Sequence, residues 1–198
     1  MPGQNTQYGR DNYTYSNGAA IAGEAWGAGV QYKNTFGGVG FAASAGYMST
    51  DLQALKDNMR EWNVGTDISY AGFNVGGSYR GVRTNYSAAD RALTGASAIS
   101  SPNGRLWEVG AGYTTGPFAV SLQYVDSRAD GLINGTTGSA GKDKARIWSL
   151  NGAYNMGPGI KLVGAVANVK WRDEAGAGTN SIGENKGWAG ITGFEVTF

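Results

Sequence analysis

From Trp188 onward the chain alternates. Trp188, Gly190, Thr192, Phe194, Val196 and Phe198 hold the even positions, and Gly193, Glu195 and Thr197 fall between them. A period of two sends alternate residues to opposite faces of a strand, so this segment predicts one apolar and one polar face. The same pattern recurs upstream in Trp26 to Tyr32, Val39 to Tyr47, Trp62 to Tyr70, Phe73 to Tyr79, Trp107 to Tyr113, Phe118 to Tyr124, Trp148 to Tyr154 and Ile160 to Val166. Nine strands are therefore expected, and the fold class is all-β.

Their connections alternate between short and long. Lys33 to Thr35, Ala71-Gly72, Thr114 to Pro117 and Asn155 to Gly159 carry the residues of tight hairpins. Ser49 to Met59, Arg83 to Asn103, Ala129 to Asp143 and Arg172 to Asn185 are long, polar and glycine-rich. Short turns at one end and long loops at the other predict a transmembrane antiparallel up-and-down β-barrel, with residues 23–198 as its strands. The rings fall into the same two levels. Tyr32, Tyr70, Tyr113, Tyr154 and Phe194 lie near the short turns, and Trp26, Trp62, Trp107, Trp148 and Trp188 lie towards the long loops. These ten are the expected membrane girdles. The ten steps from Trp188 to Phe198, at about 3.3 Å each and a tilt near 40°, span roughly 25 Å, the height of an outer-membrane apolar band.

Composition narrows the chemistry. The 198 residues include 34 glycines, 11 tyrosines and 6 tryptophans, but no cysteine and no histidine. Disulfides, thiolate metal sites and a Ser-His nucleophile are thereby removed, and no enzyme, metal or cofactor is expected. With 16 basic and 15 acidic residues spread along the chain, no basic stripe points to nucleic acid. No run approaches the roughly 20 apolar residues of a membrane helix, which a barrel does not need.

Nine is an odd count, whereas a complete bacterial barrel has an even one with both ends on the periplasmic side. Residues 1–22 are accordingly expected to be an external loop or the start of a fragment. A weak tenth strand through Tyr13 and Tyr15 would instead close a small barrel.

Several stretches are similar to the general porins of Gram-negative outer membranes, alphaproteobacterial type. They are Thr35-Phe36-Gly37-Gly38-Val39-Gly40, Ser69 to Arg80, Trp107 to Tyr113, Tyr154-Asn155-Met156-Gly157-Pro158-Gly159 and the terminal strand, and the resemblance runs from about residue 22 to the end. It implies a homotrimer in the bacterial outer membrane, among outer-membrane lipids and lipopolysaccharide. Each sixteen-stranded subunit would pass small hydrophilic solutes and ions through a water-filled channel. The nine strands then resemble the carboxyl-terminal part of a subunit, and Phe198 the signal read by the barrel assembly machinery. The upstream strands and the inward-folded loop that narrows the channel have no counterpart in the chain.

Strand parity assigns the lining. Lys33, Glu61, Asp67, Arg80, Glu108, Gln123 and Asn151 lie opposite the apolar set and are the candidate pore-lining residues; charges there would set ion preference. The second face of the eighth strand does not follow the rule, because Val163, Ala165, Ala167 and Val169 are apolar as well. The alternative is a small closed outer-membrane barrel, structural or ligand-binding and without a wide pore. The many small inward residues favour the wider lumen.

Overall fold

The computed structural model describes residues 22–52, 58–83, 98–100, 103–130, 132–134, 142–172 and 184–197. These form antiparallel strands and, among the described residues, no helix. The strands are β1 Ala22–Phe36, β2 Val39–Leu52, β3 Met59–Tyr70, β4 Phe73–Arg83, β5 Ala98–Ser100, β6 Gly104–Thr115, β7 Phe118–Asp130, β8 Leu132–Asn134, β9 Lys142–Gly157, β10 Ile160–Arg172 and β11 Glu184–Val196. Nine of them pair in chain order, β1-β2-β3-β4-β6-β7-β9-β10-β11, as one meander. The sheet is not closed: β1 and β11 each have one hydrogen-bonded neighbour. The expected nine strands are all present, as one up-and-down sheet.

Three expectations are corrected. The first hairpin turns at Gly37-Gly38, not at Lys33 to Thr35, and Phe36 pairs directly with Val39. Both glycines have positive φ, 56° and 85°, the left-handed geometry of a two-residue hairpin turn that a β-carbon disfavours. The long connections are shorter than expected, because strands run through Leu52, Asp130 and Arg172 and resume at Met59 and Lys142. Two of those connections also carry β5 and β8, which pair Ala98 with Asn134 as a separate two-stranded ladder. The tenth strand proposed through Tyr13 and Tyr15 lies outside the described residues, as does Phe198.

Register gives the sheet a tilt. Trp62 is opposite Tyr47 and Trp107 is opposite Tyr79, but Tyr79 is opposite Val64 and Tyr124 opposite Val109. From Trp62 to Tyr79 the ring row slips two residues towards the short turns, from Tyr79 to Trp107 none, and from Trp107 to Tyr124 two again. One residue of slip per strand, with about 3.3 Å per residue and about 4.8 Å between strands, inclines the strands by roughly 35° to the normal of the ring row. That lies within the tilt of membrane barrels. The rings thus mark a level plane across a tilted sheet.

Candidate functional site

The two faces of this sheet differ throughout. On one, Val30, Val64, Ile68, Val75, Val120, Leu122, Leu150 and Val166 lie between the two ring rows, each about half exposed or more. A soluble protein rarely leaves so extended an apolar surface uncovered. On this outward face Trp62 and Tyr79 stack with centroids 5.0 Å apart and planes 21° apart, and Trp26 meets Tyr47 at 5.5 Å. Tyr124 touches Trp107 at 5.1 Å and Trp148 at 4.5 Å. At the short-turn end Phe73 and Tyr113 are 4.3 Å apart, and Phe118 and Tyr154 4.9 Å. Trp188, Phe194, Tyr32 and Tyr70 are exposed on the same face.

Packing at the upper row explains one glycine. Gly81 is directly opposite Trp62, and a β-carbon built on Gly81 would lie 2.7 Å from the indole Nε1. The stacked indole lies flat because that position has no side chain.

The register places Lys33, Glu61, Asp67, Arg80, Glu108, Gln123 and Asn151 on the opposite face, where Glu61, Arg80, Glu108, Gln123 and Asn151 bond across strands. Arg80 Nη2 donates to Glu61 Oε2 at 2.7 Å, joining β4 to β3. Glu108 on β6 accepts from Ser78 Oγ on β4 at 2.9 Å and from Gln123 Nε2 on β7 at 3.0 Å, so one carboxylate ties three strands. Asn151 Nδ2 donates to Ser121 Oγ at 3.3 Å. Nearer the short turns, Lys161 and Glu195 pair at 2.8 Å. Arg80 Nε is buried without a partner among the described residues, which leaves this guanidinium with unused donor capacity. Lys33 and Asp67 share the face but do not join these pairs.

This polar face has an apolar interruption. Ala119, Ala153, Val163, Ala165 and Ile191 surround the Ser121–Asn151 pair in a shallow, mainly apolar hollow across β7, β9, β10 and β11. The apolar second face of β10 thus belongs to a patch four strands wide. No group of His, Cys, Asp or Glu able to hold a metal occurs among the described residues, and no helix there is long and apolar enough to cross a membrane.

A third set of groups sits past the upper rings, beyond the apolar band, on the outward face. Asp126 is buried between Arg128 Nε at 3.0 Å and Arg146 Nε at 3.1 Å. Burial pushes its carboxyl up, but hydrogen bonds from the two guanidinium groups outweigh that and hold it below the ordinary value. Hydrogen bonds from Arg172 and Lys170 likewise lower Glu184. The strands that carry these charges extend further than the apolar alternation does.

An open lattice of strands with an apolar exterior, ring rows and a hydrogen-bonded polar face is the wall of a membrane barrel. A family model for Gram-negative porins matches residues 3–174. The chain belongs to the Gram-negative porins. The match begins ahead of the resemblance read from the sequence and stops before β11, which is placed in the porin wall by its unbroken pairing with β10 from Ile160↔Val196 to Arg172↔Glu184. No curated protein matches the chain.

Proposed function

We propose that this porin resides in the bacterial outer membrane and forms a water-filled channel through which small hydrophilic solutes and ions diffuse passively. The observation that carries the reading is the separation of faces over nine consecutive strands: exposed aliphatic and aromatic side chains on one, and the Glu61–Arg80 and Ser78–Glu108–Gln123 contacts on the other. Lipid leaves no open sheet edge unpaired, so in the functioning protein the edges β1 and β11 are joined in a closed wall. A sixteen-stranded subunit within a homotrimer is the arrangement we favour.

Lys33, Glu61, Asp67, Arg80, Glu108, Gln123 and Asn151 then line the lumen. Trp26, Trp62, Trp107, Trp148 and Trp188 sit at the outer headgroup level, and Tyr32, Tyr70, Tyr113, Tyr154 and Phe194 at the inner one. Phe198 would be read by the barrel assembly machinery. A channel of this kind needs polar walls and room, with no nucleophile or cofactor.

Planar-bilayer conductance of the native protein, with electrophoresis of unheated and boiled samples, tests the proposal. Stable conductance steps rising with salt, from an oligomer that dissociates on boiling, are expected. A folded, heat-modifiable monomer that conducts nothing would overturn it in favour of a small closed barrel.

A further inference from the structure

The polar face is charged unevenly. On β3, β4 and β6 it carries Glu61, Asp67, Arg80 and Glu108. On β7, β9, β10 and β11, below the level of the upper rings, it holds one charge of each sign, Lys161 and Glu195, directly opposite each other on β10 and β11. They pair at 2.8 Å, yet both stay partly exposed, 42% and 57%.

The rows above this pair are apolar. Val163 faces Gly193 and Ala165 faces Ile191, so the ion pair stands at the foot of the shallow hollow that these residues line. The hollow measures about 370 Å³, within the range of small-molecule sites. Gly193 opens it: a β-carbon built there meets nothing within 4 Å, while Val163 on the neighbouring strand and Ile191 further along β11 frame the gap. Ser121 and Asn151, on the β7 and β9 side, bond each other. The floor between Val163 and Ile191 therefore offers apolar contact alone, with both charges at one end.

We infer that this hollow is a seat in the channel wall for zwitterionic solutes with an apolar body, of which free α-amino acids with large aliphatic or aromatic side chains are the simplest. The inference rests on the proposed channel and names a class of solute that the channel would hold in passing. Charge complementarity carries it first. A simple cation or anion meets attraction and repulsion together at an ion pair, but an ammonium and a carboxylate on one carbon can match both, the ammonium on Glu195 and the carboxylate on Lys161. Spacing carries it next. One two-residue step along the strands, about 6.7 Å, leads from the ion pair to Val163 and Gly193, so a leucine or phenylalanine side chain laid along β11 covers Gly193 and points towards Ile191. A shallow hollow also lets go of what it holds, as passage through a channel requires.

The test is a ligand-observed NMR titration of the native protein in lipid nanodiscs, with empty nanodiscs as blank and L-leucine, L-serine, isoamylamine and isocaproate as probes. Covering about half of a leucine side chain tightens binding roughly fivefold, and matching the second charge about threefold. Leucine should therefore bind about fivefold tighter than serine, and about threefold tighter than the singly charged amine and acid of similar body. Gly193→Leu fills the hollow and should abolish the preference for leucine over serine. Gly187→Leu, on the same face of β11 but outside the hollow and with equally open space around it, should keep that preference. Equal binding of leucine and serine by the native protein, or an undiminished preference in a folded Gly193→Leu variant, would overturn the inference. Amine or acid binding as tightly as leucine would make the hollow a seat for any apolar body and overturn it too. If Gly193→Leu does not fold, the four probes on the native protein decide alone. Conductance of the same preparation without amino acids keeps the channel reading separate: leucine preference without conduction sinks that reading, and conduction without leucine preference sinks this one.

Discussion

Replacing Glu61 by Gln frees one positive charge on the polar face. Arg80 is held at 2.7 Å by Glu61, and the side chains are 38% and 14% exposed respectively. With Arg80 more than a third exposed, the pair is worth no more than about 1 kcal/mol to folding, so Glu61→Gln should leave the barrel assembled. In the proposed channel its effect falls on ions in the lumen. A bare unit charge acts on an ion about 8 Å away in water with roughly 0.5 kcal/mol before screening. At about 0.01 M salt the screening length is near 30 Å and some 0.4 kcal/mol survives; at 0.15 M it is near 8 Å and about 0.2 kcal/mol remains. Because the charge attracts anions and repels cations equally, reversal potentials across a bilayer with a salt gradient should shift towards anions by about fourfold in permeability ratio at low salt, and by about twofold near physiological salt. Arg80→Gln should shift them the other way. The double variant should return close to the parent, because the pair contributes almost no net field. If Glu61→Gln leaves the low-salt reversal potential unmoved in a conducting channel, the Arg80 face does not border the conduction path and the lining assignment is wrong.

Three further outcomes follow from contacts elsewhere. Gly81→Ala places a methyl group 2.7 Å from the Trp62 indole, so the ring must leave Tyr79; the thermal midpoint should fall by the equivalent of about 1–3 kcal/mol, with a shift in tryptophan emission, and an unchanged emission spectrum would refute the contact. Gly38→Val puts a branched side chain at φ 85°, costing about 1–2 kcal/mol or more, and refolding into detergent should be less complete than for the same change at Gly193, where an added β-carbon meets nothing within 4 Å. The third concerns pH: because the folded Asp126 carboxyl titrates below its ordinary 3.8, its stabilisation is fully present above that value and is lost as pH falls through the lower folded value. Asp126→Asn should therefore lower the thermal unfolding midpoint at neutral pH and flatten its decline on acidification; parallel pH profiles for parent and variant would sink that assignment.

How much of this was legible in the sequence depends on what enforces the pattern. Between the ring rows one face is apolar and the other polar, and from the two-residue period this imposes the nine strands, their faces and the seven polar candidates can be read directly. Register then put all seven on one face. At the short-turn end the reading slipped, because Lys33-Asn34-Thr35 has turn-like polarity while Phe36 still continues the outward parity and faces Val39. The pairing of β5 with β8 had no signal of that kind, since three-residue strands offer too little alternation to recognise.

Past the upper rings the failure was of a different nature. Hydrogen-bonded strands continue through Arg172 and Lys142, but lipid no longer selects apolar side chains there, so strand and loop become compositionally alike. Asp130, Lys142, Arg172 and Glu184 consequently fall within the long connections expected from the sequence, although strands carry them. Their spacing carried the missing information. Asp126 and Arg128 keep the even parity of Tyr124; Lys144 and Arg146 keep that of Trp148; Lys170 and Arg172 keep that of Val166; Glu184 and Lys186 keep that of Trp188. A loop has no reason to hold charges at every second position in phase with a neighbouring strand. In a barrel wall, a period that persists while its outward side chains change from aromatic to charged marks strand that continues past the apolar band, and the hydrogen-bonded register through Arg172 and Glu184 bears that out.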